Sequence, residues 1–283
     1  MSDSASHPRF LELPRNDRGL ATGTRAVRRM KQLLPAFLDQ KLDNADADGF
    51  VVALDGSVGS TVATVLAIEA TSADRVLGLV MPAQLDDETS ARAAEAIASM
   101  LDIDYQRLHL QPLLSTFQRV IGAAGEPADD IVAMRNVCER FRMACLYHVA
   151  NTTNRLVLGS INRSQRLLGS MTKHGENGVD ISPLSDVYRT EVAALARGLE
   201  VPEEILERRQ RPIDESYQSD AERLGIEPST LDSLLHYLID RDDSESVIAE
   251  RLEVDPSVVR QVREWCAATR HKRHPPLKPS FDL

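Results

Sequence analysis

The chain has 283 residues, with 33 Lys and Arg against 43 Asp and Glu, a formal net charge of -10, and 42% hydrophobic residues. That length suits one large domain, or a domain with a helical appendage, and the acidic balance disfavours non-specific nucleic-acid binding because the whole-chain field repels phosphate backbones. No apolar run is long enough to span a bilayer, and Met1-Ser2-Asp3-Ser4 lacks the basic-then-apolar layout of a signal peptide, so a cytoplasmic protein without membrane partners is expected.

Residues 1–22 mix Ser, Pro, Asp and Arg without periodicity and are expected to form a flexible arm. A helix is predicted from Thr24 to Leu42, followed by an apolar strand Phe50-Val51-Val52-Ala53-Leu54. Such a continuous run suits a parallel strand covered on both faces. The turn Asp55-Gly56-Ser57-Val58-Gly59-Ser60 comes next, and then a helix with Val62, Val65 and Leu66 facing inward. Backbone N–H groups of a small-residue turn, joined to the positive end of the following helix, can hold a phosphate. The same stretch also reads as a plain tight turn between strand and helix.

A second strand is predicted at Val76–Met81, then a helix with Ala94, Ile97, Ala98 and Leu101 on one face and Asp86, Asp87 and Glu88 at its start, where the helix dipole favours them. A third strand is expected over Tyr105–Leu110 and a helix over Leu113–Val120. A long helix from Ile131 to Asn151, striped by Ile131, Met134, Cys138, Phe141 and Cys145, leads into a fourth strand, Leu156-Val157-Leu158, closed by Gly159-Ser160. This alternation predicts an α/β fold, a doubly wound parallel sheet with helices on both faces and ligands at the carboxyl ends of the strands. The turns at Gly56 and Gly159 both fall at such ends.

The polar loop from Thr172 to Asp180 is too long for a mere connector, and its charges suit substrate contacts. A helix is predicted from Asp186 to Gly198, carrying Val192, Leu195 and Ala196. Residues 208–223 are polar, and a helical C-terminal region follows, with Leu231, Leu234, Leu235 and Leu238 on one face and Asp255-Pro256 starting a final helix. It ends on the basic tail Arg270-His271-Lys272-Arg273-His274. Cys138, Cys145 and Cys266 form no CxxC pair and read as small buried hydrophobes. Only five basic residues are lysines, a composition that suits a salt-rich or GC-rich host.

Three separated segments carry a resemblance. Asn136-Val137 precedes Arg140-Phe141-Arg142-Met143; Gly159-Ser160-Ile161-Asn162-Arg163-Ser164 precedes the Lys173–Asp180 loop and Ile181-Ser182-Pro183-Leu184; and the tail carries His271-Lys272-Arg273. In that order they resemble the ammonia-dependent NAD synthetase family, of the ATP-pyrophosphatase group within the adenine-nucleotide α-hydrolase-like fold, over Phe50 to Pro276. The resemblance implies a domain over 23–283 that includes the helical region 223–283, and a homodimer with the Ile131–Asn151 helix in its interface. It also implies chemistry in which ATP adenylates the carboxylate of deamido-NAD and ammonia displaces AMP, with magnesium assisting. ATP contacts would fall at Asp55, Gly56, Ser57, Gly59, Ser60, Ser160 and Arg189, and deamido-NAD contacts at Arg140, Lys173, Asp180, His271 and Lys272.

The departures cluster at the phosphate loop. The family pattern Ser-Gly-Gly-x-Asp-Ser here reads Asp55-Gly56-Ser57-Val58-Gly59-Ser60, so Gly59 stands for a magnesium-binding aspartate, and Gln165 stands for the second, a glutamate. Magnesium prefers charged oxygen. Asp55 places a carboxylate where a hydroxyl meets pyrophosphate, and at about 4 Å and an effective dielectric near 20 a like-charge contact costs about 4 kcal/mol. Arg211 replaces a small hydroxyl residue near ATP. The expected function is a nucleotide-binding relative with altered or lost amidation. One alternative is an active synthetase with a relocated metal ligand, either Asp55 or the Asp86-Asp87-Glu88 cluster, which reads otherwise as a solvated helix start. The other is a DNA-binding regulator using helices at 247–265 with Arg260 and Arg263, a segment that reads otherwise as helical packing delivering the tail.

Overall fold

The computed structural model describes residues 13–83, 87–207 and 220–275; residues 1–12 of the expected arm, Asp86, Arg211 and Pro276 lie outside the described residues. Four strands, β1 (Gly49–Ala53), β2 (Val76–Val80), β3 (Asp104–Arg107) and β4 (Arg155–Leu158), form one parallel sheet in the order β3-β2-β1-β4. The chain winds outward from β1 to β3 and then crosses back to place β4 on the other side of β1. The gap beyond the carboxyl ends of β1 and β4 is therefore the topological switch point, where open α/β sheets hold their ligands.

Alternate residues of the strands feed opposite layers. Phe50, Val52, Val76, Val80 and Leu158 bury against α1 (Thr24–Ala45), α2 (Val58–Ala70), α3 (Glu88–Met100) and α7 (Arg189–Gly198). Val51, Leu77, Leu79 and Val157 bury against α4 (Gln111–Ala123) and α5 (Ile131–Thr152) through Leu114, Cys138, Leu146 and Val149. Two-sided burial explains why β1 and β2 read as continuous apolar runs. β3 is an edge strand with Asp104, Tyr105 and Gln106 exposed. The apolar Leu108 and Leu110 that suggested a later strand lie just beyond it, donating to Val80 and Pro82 carbonyls.

A second core gathers the C-terminal helices. These are α9 (Asp220–Leu224), α10 (Pro228–Leu235), α11 (Glu245–Leu252) and α12 (Pro256–Ala268), together with the short α6 (Arg163–Leu168), and Leu168, Leu234, Leu235, Val259 and Val262 are buried among them. A further short helix, α8 (Glu203–Leu206), follows α7. The expected Asp255-Pro256 start holds, with the Asp255 carboxylate accepting from Ser257 N at 2.7 Å.

Several local expectations are corrected. α7 begins at Arg189 rather than Asp186, because Glu191 closes a capping box on the Tyr188 N–H. Ile131 at the start of the expected α5 stripe is 75% exposed, and the buried side runs instead through Cys138, Leu146, Val149 and Ala150. Residues 13–22 of the expected arm are docked: Leu20 and Ala21 are buried, Arg15 pairs with Glu191 at 3.1 Å, and Tyr237 donates to the Asp17 carbonyl. Among the described residues no helix is long and apolar enough to cross a membrane.

Candidate functional site

The turn after β1 is organised by its own side chains. Gly56 has φ +78, a left-handed conformation that a side chain would strain, and its close neighbours are Ala93 and Ser90 of α3. Asp55 Oδ1 accepts from Ser57 N at 2.9 Å and from Ser60 Oγ at 2.5 Å, while Ser57 Oγ accepts from Ser60 N at 3.3 Å to cap α2. One carboxylate thus takes two donors that an anion would otherwise engage. Ser57 caps the helix and Ser60 is buried. Gly59 faces the turn after β4: a Cβ built there lies 3.0 Å from the Ser160 carbonyl oxygen. The two glycine-marked turns therefore meet at the switch point, as their positions in the sequence implied.

Beyond Ser160 the chain enters α6, a helix unforeseen because six residues are too few to show a period. Its signal was the capping box: Asn162 Oδ1 accepts from Gln165 N at 3.0 Å, and Gln165 Oε1 accepts from Asn162 N at 3.1 Å. Gln165 and Arg189 share a small cavity with Ser164, Asp220 and Asp232. Asp232, 1% exposed, anchors this corner by accepting from Ser164 Oγ at 2.5 Å and from Thr190 N and Oγ1 at 2.7 and 2.6 Å. Burial raises its carboxyl above the ordinary range against the pull of those bonds.

The Thr172–Asp180 loop lies along α5. A Cβ at Gly175 would stand 2.9 Å from Glu139 Cβ, and one at Gly178 2.9 Å from Met143 Cγ, so glycine is what lets the loop approach the helix. Asp180 joins the loop to the sheet, its Oδ2 accepting from Val157 N at 2.8 Å and its Oδ1 from Tyr147 OH at 3.0 Å. Burial, with the Asp180 bond, pushes the Tyr147 phenol up to about 12. The tail then closes over the loop. Lys173 Nζ donates to the His271 carbonyl at 3.0 Å, Asn177 Nδ2 to the Lys272 carbonyl at 3.2 Å, and Lys272 Nζ to the carbonyls of Gly169 and Met171 at 2.7 and 3.1 Å. Lys173, His271 and Lys272 are thus brought together, while Arg140 is exposed on α5.

Some contributors have no role of their own in the sequence reading. Arg273 donates to the carbonyls of Leu167 at 2.5 Å and Cys266 at 2.6 Å and to Thr269 Oγ1 at 3.1 Å, clamping the last turns of α6 and α12 together. Glu176 ties the loop to its own start, its Oε2 accepting from Thr172 N at 2.9 Å. Asp240 accepts from Arg163, from Tyr188 OH at 2.8 Å and from His236 Nδ1 at 3.0 Å. Burial opposes its ionisation, but those bonds outweigh it and hold the carboxyl at about 2. Only the position of Arg273 in a basic tail and of Glu176 between two glycines gave a cue.

The other singled-out groups have structural partners. Asp87 accepts from Ala83 N at 2.9 Å and pairs with Arg142 at 3.3 Å, and Glu88 pairs with Arg107, so both act as a braced helix start. Arg260 and Arg263 turn toward Glu245 of α11 at 3.8 and 2.9 Å. Cys138 and Cys266 are buried, and burial pushes both thiols up to about 11.

A parallel sheet of this order with two small-residue turns meeting at its switch point defines an open α/β protein whose candidate site lies at that point. Residues 30–276 match the family model described as NAD synthase. The chain is 34% identical over 250 residues to the NH(3)-dependent NAD(+) synthetase of Thermococcus kodakarensis, covering 88% of this chain and 96% of that one. It superposes on the NMN synthetase of Francisella tularensis with a TM-score of 0.72 at 26% identity, covering 90% and 99% of the two chains. The NH3-dependent NAD synthetase of Campylobacter jejuni, solved with a nitrate ion, shares the fold with a TM-score of 0.74 at 23% identity, again over 90% and 99%. The chain belongs to the NAD synthase family, and its role lies in NAD biosynthesis.

The family uses ATP and magnesium. The donor set at Gly59 and Gln165, the two positions that the resemblance gives to the metal, does not fit that cation. Gly59 brings no side chain, the Gln165 carbonyl is engaged by Asn162, and Asp55 Oδ1 already accepts two hydrogen bonds. Among the described residues no group of three or more His, Cys, Asp or Glu could hold a metal.

Proposed function

We propose that the chain binds deamido-NAD and ATP as a nucleotide-binding member of its family in which ATP-dependent amidation by ammonia is slowed or lost. The observation that carries this reading is the Asp55–Ser60 turn, where a carboxylate satisfies the donors that would meet phosphate and no side chain projects from Gly59. ATP contacts are assigned to Asp55, Gly56, Ser57, Gly59, Ser60, Ser160 and Arg189, and dinucleotide contacts to Arg140, Lys173, Asp180, His271 and Lys272. The gathering of Lys173, His271 and Lys272 supports the second group. A homodimer is part of the reading, supported by the exposed Val120, Ile131 and Val132 beside α4 and α5; light scattering showing a monomer at micromolar concentration would remove it.

The test combines calorimetry with isotope exchange between ATP and pyrophosphate. Deamido-NAD should bind, while exchange in its presence should be weak at both low and high salt. The salt arms matter because an acidic, lysine-poor chain can lose its fold in dilute buffer. No binding at millimolar deamido-NAD sinks the reading, and binding of nicotinate mononucleotide alone would move the substrate to that class. Robust exchange that disappears in Asp55→Ala would establish a relocated metal ligand instead.

A further inference from the structure

We propose that Glu176 is a positioning residue for the dinucleotide, its carboxylate pinning the turn that carries Lys173 against α5. This rests on the reading above for the ligand, but not for the geometry. Thr172, the residue before Lys173, is fastened twice: its amide donates to Glu176 Oε2 at 2.9 Å and its hydroxyl to Asn136 Oδ1 of α5 at 2.9 Å. The turn closes on itself through Gly175 N to the Thr172 carbonyl and Gly178 N to the Gly175 carbonyl, at 3.1 and 2.8 Å. Lys173 then reaches the tail. If the Glu176 bond is lost, Thr172 N–H loses its acceptor, and Thr172 is held to α5 through its hydroxyl bond to Asn136.

The charges around Glu176 make that bond responsive. From α5 come Arg135, Glu139 and Arg142. Arg142 is shared: it pairs with Glu139 at 2.5 Å, with Asp87 at the start of α3 at 3.3 Å, and donates to the Met81 carbonyl. On the loop itself stand Lys173 and His174, and the tail adds His271, whose carbonyl Lys173 holds. Burial, and next the neighbouring Glu139, push the Glu176 carboxyl up to about 7. The docked loop therefore holds a proton that an undocked, solvated Glu176 releases near its ordinary 4.5. Docking is favoured fully below that value, weakens as pH rises toward about 7, and is level above it; linkage over that interval allows on the order of 100-fold in the docking equilibrium.

The experiment follows amide hydrogen exchange of residues 172–178, corrected for the intrinsic chemical rate, from pH 5 to 8 in the wild-type full chain and in Glu176→Gln. The amide variant keeps an acceptor for Thr172 N and cannot ionise. Opening in the wild type should rise about tenfold or more up to pH 7 and then level, while Glu176→Gln stays protected throughout. The variant isolates the contribution of Glu176 from those of the neighbouring His174 and His271. In calorimetry the wild-type affinity for deamido-NAD should fall about fivefold over the same interval, Glu176→Gln should show a flat profile, and ATP affinity should be the same in both proteins. Equal pH profiles for the two proteins in exchange, or in dinucleotide affinity where the wild type binds, overturn the proposal. Absence of dinucleotide binding to the wild type overturns the functional reading, and is recognised separately because the exchange arm needs no ligand.

Discussion

In the turn after β1, Asp55, Ser57 and Ser60 satisfy one another within a single short stretch, whereas the Lys173 loop and the tail are held by bonds that each join distant parts of the chain: Asp180 to β4, Thr172 to α5, Lys272 to the end of α6. The first region is a frame whose side chains face inward on themselves. The second is a set of clasps that bring cationic residues from two segments together. A family frame can therefore keep its backbone design where local side chains have changed, while a site assembled across the chain persists only if its clasps persist together. Under the proposed reading, altered chemistry falls on the ATP side of that contrast and retained recognition on the dinucleotide side.

Restoring the missing carboxylates should break the contrast most strongly. In Gly59→Asp with Gln165→Glu, exchange between ATP and pyrophosphate should rise by about 1,000-fold, some 4 kcal/mol of barrier. A Cβ at position 59 meets the Ser160 carbonyl at 3.0 Å, so that carbonyl must give by a few tenths of an ångström. The double variant losing its fold in thermal melts would show that the turn has closed around glycine; a folded variant with unchanged exchange would show that the carboxylates are not what the site lacks.

On the other side, Arg273→Met removes the clamp between α6 and α12 and leaves the carbonyls of Leu167 and Cys266 without that donor. Unfolding in urea should be easier by about 3 kcal/mol, with deamido-NAD affinity falling more than ATP affinity. Equal loss of both ligands would mean that Arg273 serves the whole fold and not the tail.

The sheet was legible because β1 and β2 are buried on both faces and must be apolar. β3 was misplaced because an edge strand carries Asp, Tyr, Gln and Arg, and the apolar signal sat in the residues that follow. The two glycine turns were legible at strand ends, and the structure sets Gly59 beside Ser160 and Lys173 beside His271. What the motifs could not reveal is which polar groups satisfy one another. Nothing near Asp240 announces Arg163, Tyr188 and His236 as its partners, and nothing near Glu176 announces α5, because those partners are chosen by packing across the chain.

The Asp240 cluster gives a smaller effect with a defined pH signature. Its folded carboxyl is held at about 2 against an ordinary 3.8, so its contribution is present above about 4 and is lost as pH falls toward 2. The shift corresponds to about 2 kcal/mol, and Asp240→Asn should lose about that much stability at pH 7 while converging on the wild type near pH 2. Parallel stability curves down to pH 2 would remove the ion-pair account.

The smallest expected change sharpens the ATP side. Asp55→Ser keeps a short polar acceptor for Ser57 N, frees Ser60 Oγ from the carboxylate, and removes one negative charge from the path of the phosphates. Asp55 is exposed, so solvent and salt screen most of the repulsion that a buried pair would feel. ATP affinity should therefore improve by about tenfold at low ionic strength and by about twofold in molar salt, where the Debye length shrinks to about 3 Å. The salt dependence is the decisive part of the measurement. A gain that persists undiminished in molar salt would assign the effect of Asp55 to its hold on Ser57 and Ser60, a matter of geometry, and a loss of affinity would mean that this carboxylate keeps the turn in its binding shape.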